Sequence, residues 1–305
     1  MSRARALAAV LVTAALLAGC GGSGSGGAGG GQSGSGSRSG NSGTGAGASA
    51  AGGAPRKVAS LILPSQPVAR SVRVPILTYH RVHVLATEFK QSIPDETVEP
   101  SVFAAEIAAL DQAGYHSITQ AQLFGALFHG AALPSRPVLI TVDDGYVDDV
   151  KQILPVLRAH HMVATFYIIT GRFHEQGFLN PTEVRRLDAA GMDIGAHTRT
   201  HADLPLLSAA QMRAEIEGSR RDLQRVLGHF VYFFAYPYGA ENPAVVDAVR
   251  RAGFSLAVTT QGGTQESSQS PLTMPRIHVG RSSTPQSILA CMSAAAGSGC
   301  GGGGG

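Results

Sequence analysis

Short apolar runs alternate with longer amphipathic segments from about residue 70 onwards. The most apolar run, Pro137–Val142 (PVLITV), is followed directly by turn-forming residues, which is typical of a buried parallel strand. The other predicted strands are Arg73–His80, Tyr115–Ile118, Val163–Ile169, Met192–Ala196, Val231–Ala235, Phe254–Thr259 and Pro275–Val279. Because predicted helices separate most of these strands, the pattern indicates a parallel α/β fold, as either a barrel or an open sheet.

The amphipathic segments between the strands predict the helices. The longest is Ser208–Leu227, which places apolar residues on one face and ends at Gly228. Ser101 is expected to cap the first helix, which Gly114 ends. Further helices are predicted near Ala121–Phe128, Val147–His160, Pro181–Ala190 and Pro243–Arg251, with a last one from about Thr284. In either arrangement of the sheet, functional side chains are expected at the carboxyl ends of the strands.

The first twenty residues have the features of an export signal. Arg3 and Arg5 precede an apolar stretch, Ala6–Ala18, that is too short for a stable transmembrane helix. The stretch ends in Leu17-Ala18-Gly19-Cys20, which resembles a bacterial lipobox, in which the cysteine becomes the lipidated N-terminus. The alternative is an ordinary secretory signal. We predict a cell-envelope protein that is lipid-anchored through Cys20 on the extracytoplasmic face of a bacterial membrane.

Composition divides the rest of the chain. Gly, Ser and Ala dominate from residue 21 to about residue 54, a composition that cannot build a core and predicts a flexible tether. We therefore predict a signal peptide at 1–19, the lipidated Cys20 with its linker at 20–69, a folded domain at 70–296 and a Gly-rich disordered tail at 297–305. Cys291 and Cys300 could pair in an oxidising compartment.

Charge and cysteine content exclude several classes of function. The net charge is +3, only 15% of the 305 residues are charged, and no dense basic stripe is present, which argues against nucleic acid as a partner. The 3 cysteines are too few for a disulfide scaffold or a cysteine-ligated zinc site. Loss of Arg3 and Arg5 with the signal would lower the charge from +3 to +1, so lipid rather than charge would hold the expected monomer at the membrane.

Two adjacent carboxylates follow the most apolar strand. Asp143 and Asp144 come directly after Val142 and precede Gly145. Neighbouring carboxylates at a strand end repel each other, and a cation beside them would relieve that repulsion. The alternative is an Asp-Gly turn that caps the next helix.

Two histidines lie at the end of another predicted strand. His197 and His201 follow Met192–Ala196, and the two imidazoles would point the same way if the segment formed one helical turn. Two neutral imidazoles and one carboxylate, with a position left for water, are the ligands of a catalytic metal site. Such a pair is weak by itself in a chain with 11 histidines, and its place at a strand end strengthens it.

Two further strand ends carry polar or aromatic groups. Pro237 and Gly239 flank Tyr238 in a stiff turn that could direct a backbone N–H outward, although the turn could also be a simple aromatic loop. His80 ends the first predicted strand, and by itself it is better interpreted as a hydrogen-bonded core histidine.

Together these four features resemble the polysaccharide deacetylases, the metal-dependent carbohydrate esterase family 4. The family pattern Thr-Phe-Asp-Asp-Gly appears as Thr141-Val142-Asp143-Asp144-Gly145, and the pattern His-Ser/Thr-x-x-His appears as His197-Thr198-Arg199-Thr200-His201. The Pro-Tyr turn of the family appears as Pro237-Tyr238-Gly239. The resemblance covers roughly residues 73 to 280 and implies a distorted (β/α) barrel of about seven to eight parallel strands.

Flanking segments resemble the branch that includes deacetylases of poly-N-acetylglucosamine exopolysaccharide. These segments are Pro75–His80 (PILTYH), Phe234–Gly239 (FAYPYG) and Pro275-Arg276-Ile277. In that branch the histidine motif lies on the N-terminal side, which would make His80 the general acid, with His278 as the reserve candidate. The family arginine before the Pro-Tyr turn is missing here, and Arg276 is the candidate to replace it.

The resemblance implies a metal-dependent hydrolysis that releases acetate from N-acetylglucosamine units. Asp144, His197 and His201 would hold a divalent metal, with zinc expected, and Asp143 would be the general base. The backbone N–H of Tyr238 would stabilise the oxyanion, and His80 would protonate the departing amine. The amines that result are cationic, so the polymer would adhere differently to anionic surfaces.

Other functions stay open at the level of sequence. The substrate could be peptidoglycan, chitin oligomers or an O-acetylated polysaccharide. The alternative from a different class is a non-catalytic, tethered glycan-binding protein on the same scaffold, which the missing arginine and the absence of Trp would favour.

Overall fold

A curled parallel sheet forms the centre of the computed structural model, which describes residues 60–85 and 94–294. The strands of this part of the chain are β1 (Ser71–Arg73), β2 (Ile76–Tyr79), β3 (Arg81–Val82), β4 (Thr97–Val98), β5 (His116–Ser117), β6 (Pro137–Val142), β7 (Thr165–Ile168), β8 (Asp193–Ala196), β9 (Phe233–Ala235), β10 (Leu256–Val258), β11 (Gln265–Ser267) and β12 (Ile277–His278). The sheet order is β10-β9-β8-β7-β6-β2-β12, all parallel, and β5 pairs with the beginning of β6.

One short segment reaches both edges of this sheet. Met274 forms a parallel bridge with Val258 of β10, while Ile277 and His278 pair in parallel with β2. The sheet therefore curls towards closure, which confirms the expectation of a distorted (β/α) barrel of seven to eight parallel strands. The predicted alternation of strands and helices is confirmed with it.

Seven α-helices of the described residues connect the strands, and their ends follow the sequence closely. They are α1 (Pro100–Gln112), α2 (Gln120–His129), α3 (Leu154–Ala159), α4 (Pro181–Ala189), α5 (Ala209–Leu227), α6 (Pro243–Arg251) and α7 (Pro285–Ser293). The longest, α5, begins with a capping box between Ser208 and Gln211 and ends at Gly228, whose φ is 76°. Its apolar face is buried, as its periodicity predicts.

Alternate strand residues pack on opposite faces of the sheet. Leu77 and Ile140 belong to the large cluster that contains the inner faces of helices such as α1 and α5, whereas Ile76, Leu139 and Tyr167 pack in a second cluster with α2. Both faces of the strands are thus covered, which explains why Pro137–Val142 is apolar at every position except Thr141, whose hydroxyl donates to the carbonyl of Leu77.

Three local predictions are corrected by the structure. The first helix begins at Pro100, because proline fits the first helical position, and Ser101 lies inside the helix. Glu99 occupies the N-cap position without a capping hydrogen bond from its side chain. The segment predicted as one helix over Val147–His160 contains a π-helical turn, Asp149–Ile153, before α3.

The predicted strand Arg73–His80 is divided into β1 and β2 around Val74-Pro75. Pro75 cannot donate a ladder hydrogen bond, and β1 pairs antiparallel with β11 outside the main sheet.

Several predictions fall outside the described residues. These include the signal peptide at 1–19, Cys20, most of the linker, the tail at 297–305 and Cys300, the candidate partner of Cys291. They stay predictions. Among the described residues, none of the helices combines the length and the apolar character that a membrane span requires.

Candidate active site

The predicted site residues meet at the carboxyl ends of four strands of the parallel sheet. His80 follows β2, Asp143 and Asp144 follow β6, His197 follows β8, and the turn with Tyr238 follows β9. In a parallel sheet all these ends lie at one edge, so residues far apart in sequence become neighbours. The structure thus brings the sequence-predicted residues to one place.

Asp144, His197 and His201 form a cluster whose three ligand atoms lie within 4.8 Å of one another. Oδ1 of Asp144 is 3.6 Å from Nε2 of His197 and 3.7 Å from Nε2 of His201. These separations are too long for hydrogen bonds, and Oδ1 of Asp144 is buried without a hydrogen-bond partner. Tetrahedral zinc with bonds of about 2.0–2.1 Å separates its ligands by about 3.3 Å, so the cluster fits one metal ion.

The two imidazoles are prepared to act as ligands. Nδ1 of His197 lies 2.8 Å from the carbonyl oxygen of Ala235, which can only accept a hydrogen bond. Nδ1 therefore carries the proton, and Nε2 faces Asp144 as an acceptor. Burial lowers the pKa of His201 to about 4, and the neighbouring His197 lowers it further, so this imidazole is neutral near pH 7.

The segment between the two histidines is not the helical turn considered for it. Thr198 and His201 have left-handed φ angles of 62° and 60°, and the N–H of His201 donates to Oγ1 of Thr198 at 3.0 Å. Asp144 is left-handed as well, with a φ of 77°. Such angles cost about 1–3 kcal/mol each in residues other than glycine, and they cluster at functional sites.

Asp143, the expected general base, forms a buried ion pair with Arg276. Nη1 of Arg276 donates to Oδ1 at 2.8 Å and Nη2 donates to Oδ2 at 2.7 Å. The same guanidinium donates to Oγ1 of Thr141 and to the carbonyl of Thr259. Burial by itself would raise the pKa of Asp143, but the charge and hydrogen bonds of Arg276 outweigh it and lower the pKa to about 2. Asp143 is therefore ionised at neutral pH.

His80 and His278 share one carboxylate. Oε2 of Glu96 is 3.1 Å from Nδ1 of His80 and is also hydrogen-bonded to Nε2 of His278. Burial lowers the pKa of His80, but Glu96 and the charges of Asp144 and Asp143 outweigh burial and raise it overall. Burial likewise opposes ionisation of Glu96, yet the two imidazoles lower its pKa below the usual range.

Tyr238 stands in the turn after β9 with its side chain in solvent. Its φ is 59°, its side chain is 64% exposed, and its ring centroid lies 4.5 Å from that of His201. A side chain on the next residue, Gly239, would overlap Thr260, so this position requires glycine. The stiff turn predicted from Pro237 and Gly239 is present beside the metal cluster.

Sequence reasoning missed three residues that contact this site. Glu96 lies in a short 3₁₀ segment, Pro94–Glu96, and Glu215 and Asp222 lie on α5. None belongs to a motif, and each meets its partner only through the fold. The one available signal was general, since a carboxylate is the expected partner of a functional histidine.

Comparison with known proteins identifies the family. A family model described as polysaccharide deacetylase matches residues 130–257, a range that contains Asp143, Asp144, His197, His201 and Tyr238. Residues 130–257 therefore belong to the polysaccharide deacetylase family. The chain is accordingly a hydrolase of the carbohydrate esterase type. The matched range does not include His80, Arg276 or His278, so the place of these three residues in the site is supported by the structure alone.

Individual relatives agree with this membership. YxkH of Bacillus subtilis, which carries the name of the same family, is 26% identical over 210 residues, or 69% of this chain and 72% of YxkH. A peptidoglycan-N-acetylglucosamine deacetylase of Bacillus cereus is 26% identical over 46% of this chain and 50% of its own length. The structure of the Streptococcus pyogenes deacetylase PplD in complex with acetate matches with a TM-score of 0.69 and 26% identity, covering 74% of this chain and 100% of that one.

Proposed function

We propose that this protein is a metal-dependent N-deacetylase that removes acetyl groups from a polysaccharide containing N-acetylglucosamine, with poly-N-acetylglucosamine exopolysaccharide favoured. The observation that carries the proposal is the pairing of two adjacent carboxylates with different partners. Asp144 faces two imidazoles and has a buried oxygen without a hydrogen bond, while Asp143 is paired with Arg276. One carboxylate is thus arranged to bind a cation and the other to accept a proton.

A divalent metal, with zinc expected, would be held by Asp144, His197 and His201, and when bound it would polarise the acetyl carbonyl and acidify water. Asp143 would accept a proton from the attacking water. Arg276 fixes both oxygens of Asp143 and so holds that carboxylate in one orientation.

His80 and Tyr238 would complete the reaction. The pKa of His80 is raised, mainly by Glu96 working against burial, so the imidazole is suited to carry the proton that the departing amine needs. The backbone N–H of Tyr238, in the turn next to His201, would donate to the oxyanion. His278 touches the same carboxylate, but the charges of Asp143 and Asp144 act on His80, which favours His80 as the acid.

Two observations support an N-acetylated substrate. The flanking segments at Pro75–His80 and Pro275–Ile277 resemble the poly-N-acetylglucosamine branch, and the structure places both beside the site as β2 and β12. The Bacillus cereus relative is named as a deacetylase of the N-acetylglucosamine of peptidoglycan, which is also an N-acetylated sugar. An exposed aromatic ring, that of Tyr238, beside the metal cluster also suits a sugar substrate.

We further propose that the chain acts at the extracytoplasmic face of a bacterial membrane as a monomer anchored by lipid on Cys20. Support comes from the lipobox-like Leu17–Cys20 and the Gly/Ser-rich tether that follows. By the relation of about 5–6 Å times √n, a tether of 34 residues would span about 30–35 Å. Replacement of Cys20 by Ala should release the protein from the membrane fraction, and retention in that fraction would contradict lipid anchoring.

The deciding experiment measures acetate release from N-acetylglucosamine oligomers by the 55–305 fragment. Release should stop with a chelator and return with Zn²⁺. O-acetylated xylan and peptidoglycan are tested in parallel, because release from one of them alone would reassign the substrate. Glycan binding with bound metal but no release from any substrate would overturn catalysis in favour of a glycan-binding protein.

A further inference from the structure

We propose that Glu215 of α5 is a positioning residue that holds the segment between His197 and His201 so that both imidazoles face one metal ion. The proposal rests on the proposed function, because it assigns Glu215 a role only if this pair of histidines binds metal. Glu215 lies outside the family motifs, and it touches neither Asp144 nor either histidine among the contacts of the described residues.

Both carboxylate oxygens of Glu215 accept hydrogen bonds from the middle of the segment. Oε2 accepts the N–H of Arg199 and the N–H of Thr200, each at 2.8 Å. Oε1 accepts the hydroxyl of Thr200 at 2.9 Å. Two consecutive N–H groups therefore point to one oxygen, and the orientation of two peptide units midway between the histidines is fixed.

A second set of contacts opposes rotation of the same segment. The N–H groups of Thr170 and Gly171 donate to the carbonyls of Thr198 and Arg199 at 3.2 and 2.8 Å. A side chain at Gly171 would overlap the carbonyl of Arg199, so glycine permits this close approach. The segment is thus contacted through its N–H groups by α5 and through its carbonyls by the chain after β7.

Asp222, about two turns further along α5, joins these two sets of contacts. Its Oδ2 accepts a hydrogen bond from Nε of Arg199 at 3.1 Å and another from Oγ1 of Thr170 at 3.2 Å. α5 therefore contacts the segment between His197 and His201 through two residues. Glu215 binds the backbone of that segment, and Asp222 binds the side chain of Arg199.

Without these hydrogen bonds, few interactions would hold the segment in its strained conformation. Thr198 and His201 adopt left-handed angles that residues other than glycine rarely adopt, and no ladder of helix or strand hydrogen bonds holds them. Relaxation of either residue would move His201 relative to His197. Loss of Glu215 should therefore weaken metal binding more than it destabilises the metal-free fold.

The test compares Zn²⁺ affinity in the full chain for the wild type, Glu215→Gln and Glu217→Gln, by competition with a chromogenic chelator. Glu217 is the matched control, because it lies on the same helix and loses the same charge, but it pairs with Arg213 and Arg221 instead of the segment. We expect the Zn²⁺ Kd to rise about 10–100-fold in Glu215→Gln, as for other residues that orient metal ligands, and to stay unchanged in Glu217→Gln.

The melting temperature of the metal-free proteins separates positioning from simple stabilisation. A lower melting temperature for Glu215→Gln with an unchanged Kd would overturn the proposal and leave the proposed function intact. Failure of the wild type to bind metal would overturn both. If Glu215→Gln does not fold, Thr200→Val removes only the contact to Oε1 and should raise the Kd about three- to tenfold, whereas an unchanged Kd would refute the role of Glu215.

Discussion

At the scale of single residues, the site gives two neighbouring carboxylates different partners. Asp143 is paired with a guanidinium, and Asp144 faces two imidazoles. Two adjacent buried carboxylates would repel each other and raise their pKa values, so each needs positive charge of its own. Arg276 meets this need for Asp143 with a bidentate pair, and Asp144 is left for a cation.

This division of roles predicts opposite effects of the two Asp→Asn substitutions. Asp143→Asn should keep the metal and lower kcat by about 10²–10⁴-fold, because the proton acceptor is lost. The fold should be less stable as well, because Arg276 loses its partner charge. Asp144→Asn should lose the metal, because an amide replaces the carboxylate ligand. Metal content by elemental analysis and acetate release check both variants. Loss of metal from Asp143→Asn, with retention in Asp144→Asn, would reverse the assignment.

The contact between Glu96 and His80 should set the pH above which kcat/KM begins to fall. The pKa of His80 is raised because Glu96 and the site carboxylates outweigh burial, so the protonated acid persists to higher pH than an ordinary histidine allows. Removal of the negative charge in Glu96→Gln lowers that pKa, so kcat/KM should begin to fall at a lower pH than in the wild type. The profile is measured with Glu217→Gln as control. If the alkaline limb of the pH profile does not shift in Glu96→Gln, Glu96 does not raise the pKa of His80.

The two histidines that share Glu96 should differ in effect. His80→Gln removes the proposed acid and should lower kcat by about 10²–10⁴-fold without loss of metal. His278→Gln removes only a second hydrogen bond to Glu96, so its effect should be about tenfold or less. Steady-state kinetics on N-acetylglucosamine oligomers compare the two. A larger loss in His278→Gln would make His278 the general acid.

Which residues could be predicted from sequence depends on how they reach the site. Asp143, Asp144, His197 and His201 could be found because they follow strand ends within short continuous motifs. Glu96 could not, because it meets His278 across 182 positions of sequence and sits in no motif.

At the scale of elements, the turn after β9 is shaped by a close approach that sequence alone does not reveal. Gly239 has a φ of 65°, and a side chain there would overlap both the side chain and the backbone of Thr260. The prediction that Pro237 and Gly239 make a stiff turn needed only their residue types. The identity of the neighbour, Thr260, comes from the pairing of β9 with β10.

Gly239→Ala should therefore displace Tyr238 and lower kcat/KM, while metal binding is largely kept. The cost in unfolding free energy should be about 1–3 kcal/mol, because the new methyl meets backbone as well as side chain. Gly191→Ala is the control, since Gly191 is also left-handed, with a φ of 88°, but has open space around it. Activity is measured with unfolding in urea. Equal loss of activity in both variants would show that strain alone is responsible.

At the scale of the whole molecule, near-closure of the sheet explains how the catalytic set is completed. Arg276 and His278 lie on the segment that touches both edges of the sheet, and their spacing of two places them on one face of it. Arg276 reaches Asp143, and His278 reaches Glu96. The alternation of strands and helices was enough to predict a barrel-like sheet. It could not show that one late segment joins the edges, because Ile277 and His278 pair with β2, which lies at the other end of the folded chain.

The stability of the molecule should depend on pH through Glu106, a carboxyl of α1 buried with Tyr79 of β2. Burial raises the pKa of Glu106 to about 7, and the nearby hydroxyl of Tyr79 only partly opposes this. A carboxyl whose folded pKa is raised stabilises the fold below its unfolded pKa, near 4.3, and loses that contribution as pH rises through about 7. The free energy of unfolding should therefore decline between pH 5 and pH 8. Glu106→Gln cannot ionise, so it should remove up to about 3 kcal/mol of that decline.

Urea unfolding at pH 5 and pH 8 tests this, with exposed Glu217→Gln as the control for loss of a carboxylate. Two other carboxyls, Asp149 and Glu266, are also buried with raised pKa values, but they are present in every variant, so the difference between variants isolates Glu106. The same decline in Glu106→Gln and in the control would mean that Glu106 is not the titrating group. A smaller decline in Glu106→Gln alone would show that ionisation of Glu106, buried between α1 and the sheet, costs stability at neutral pH.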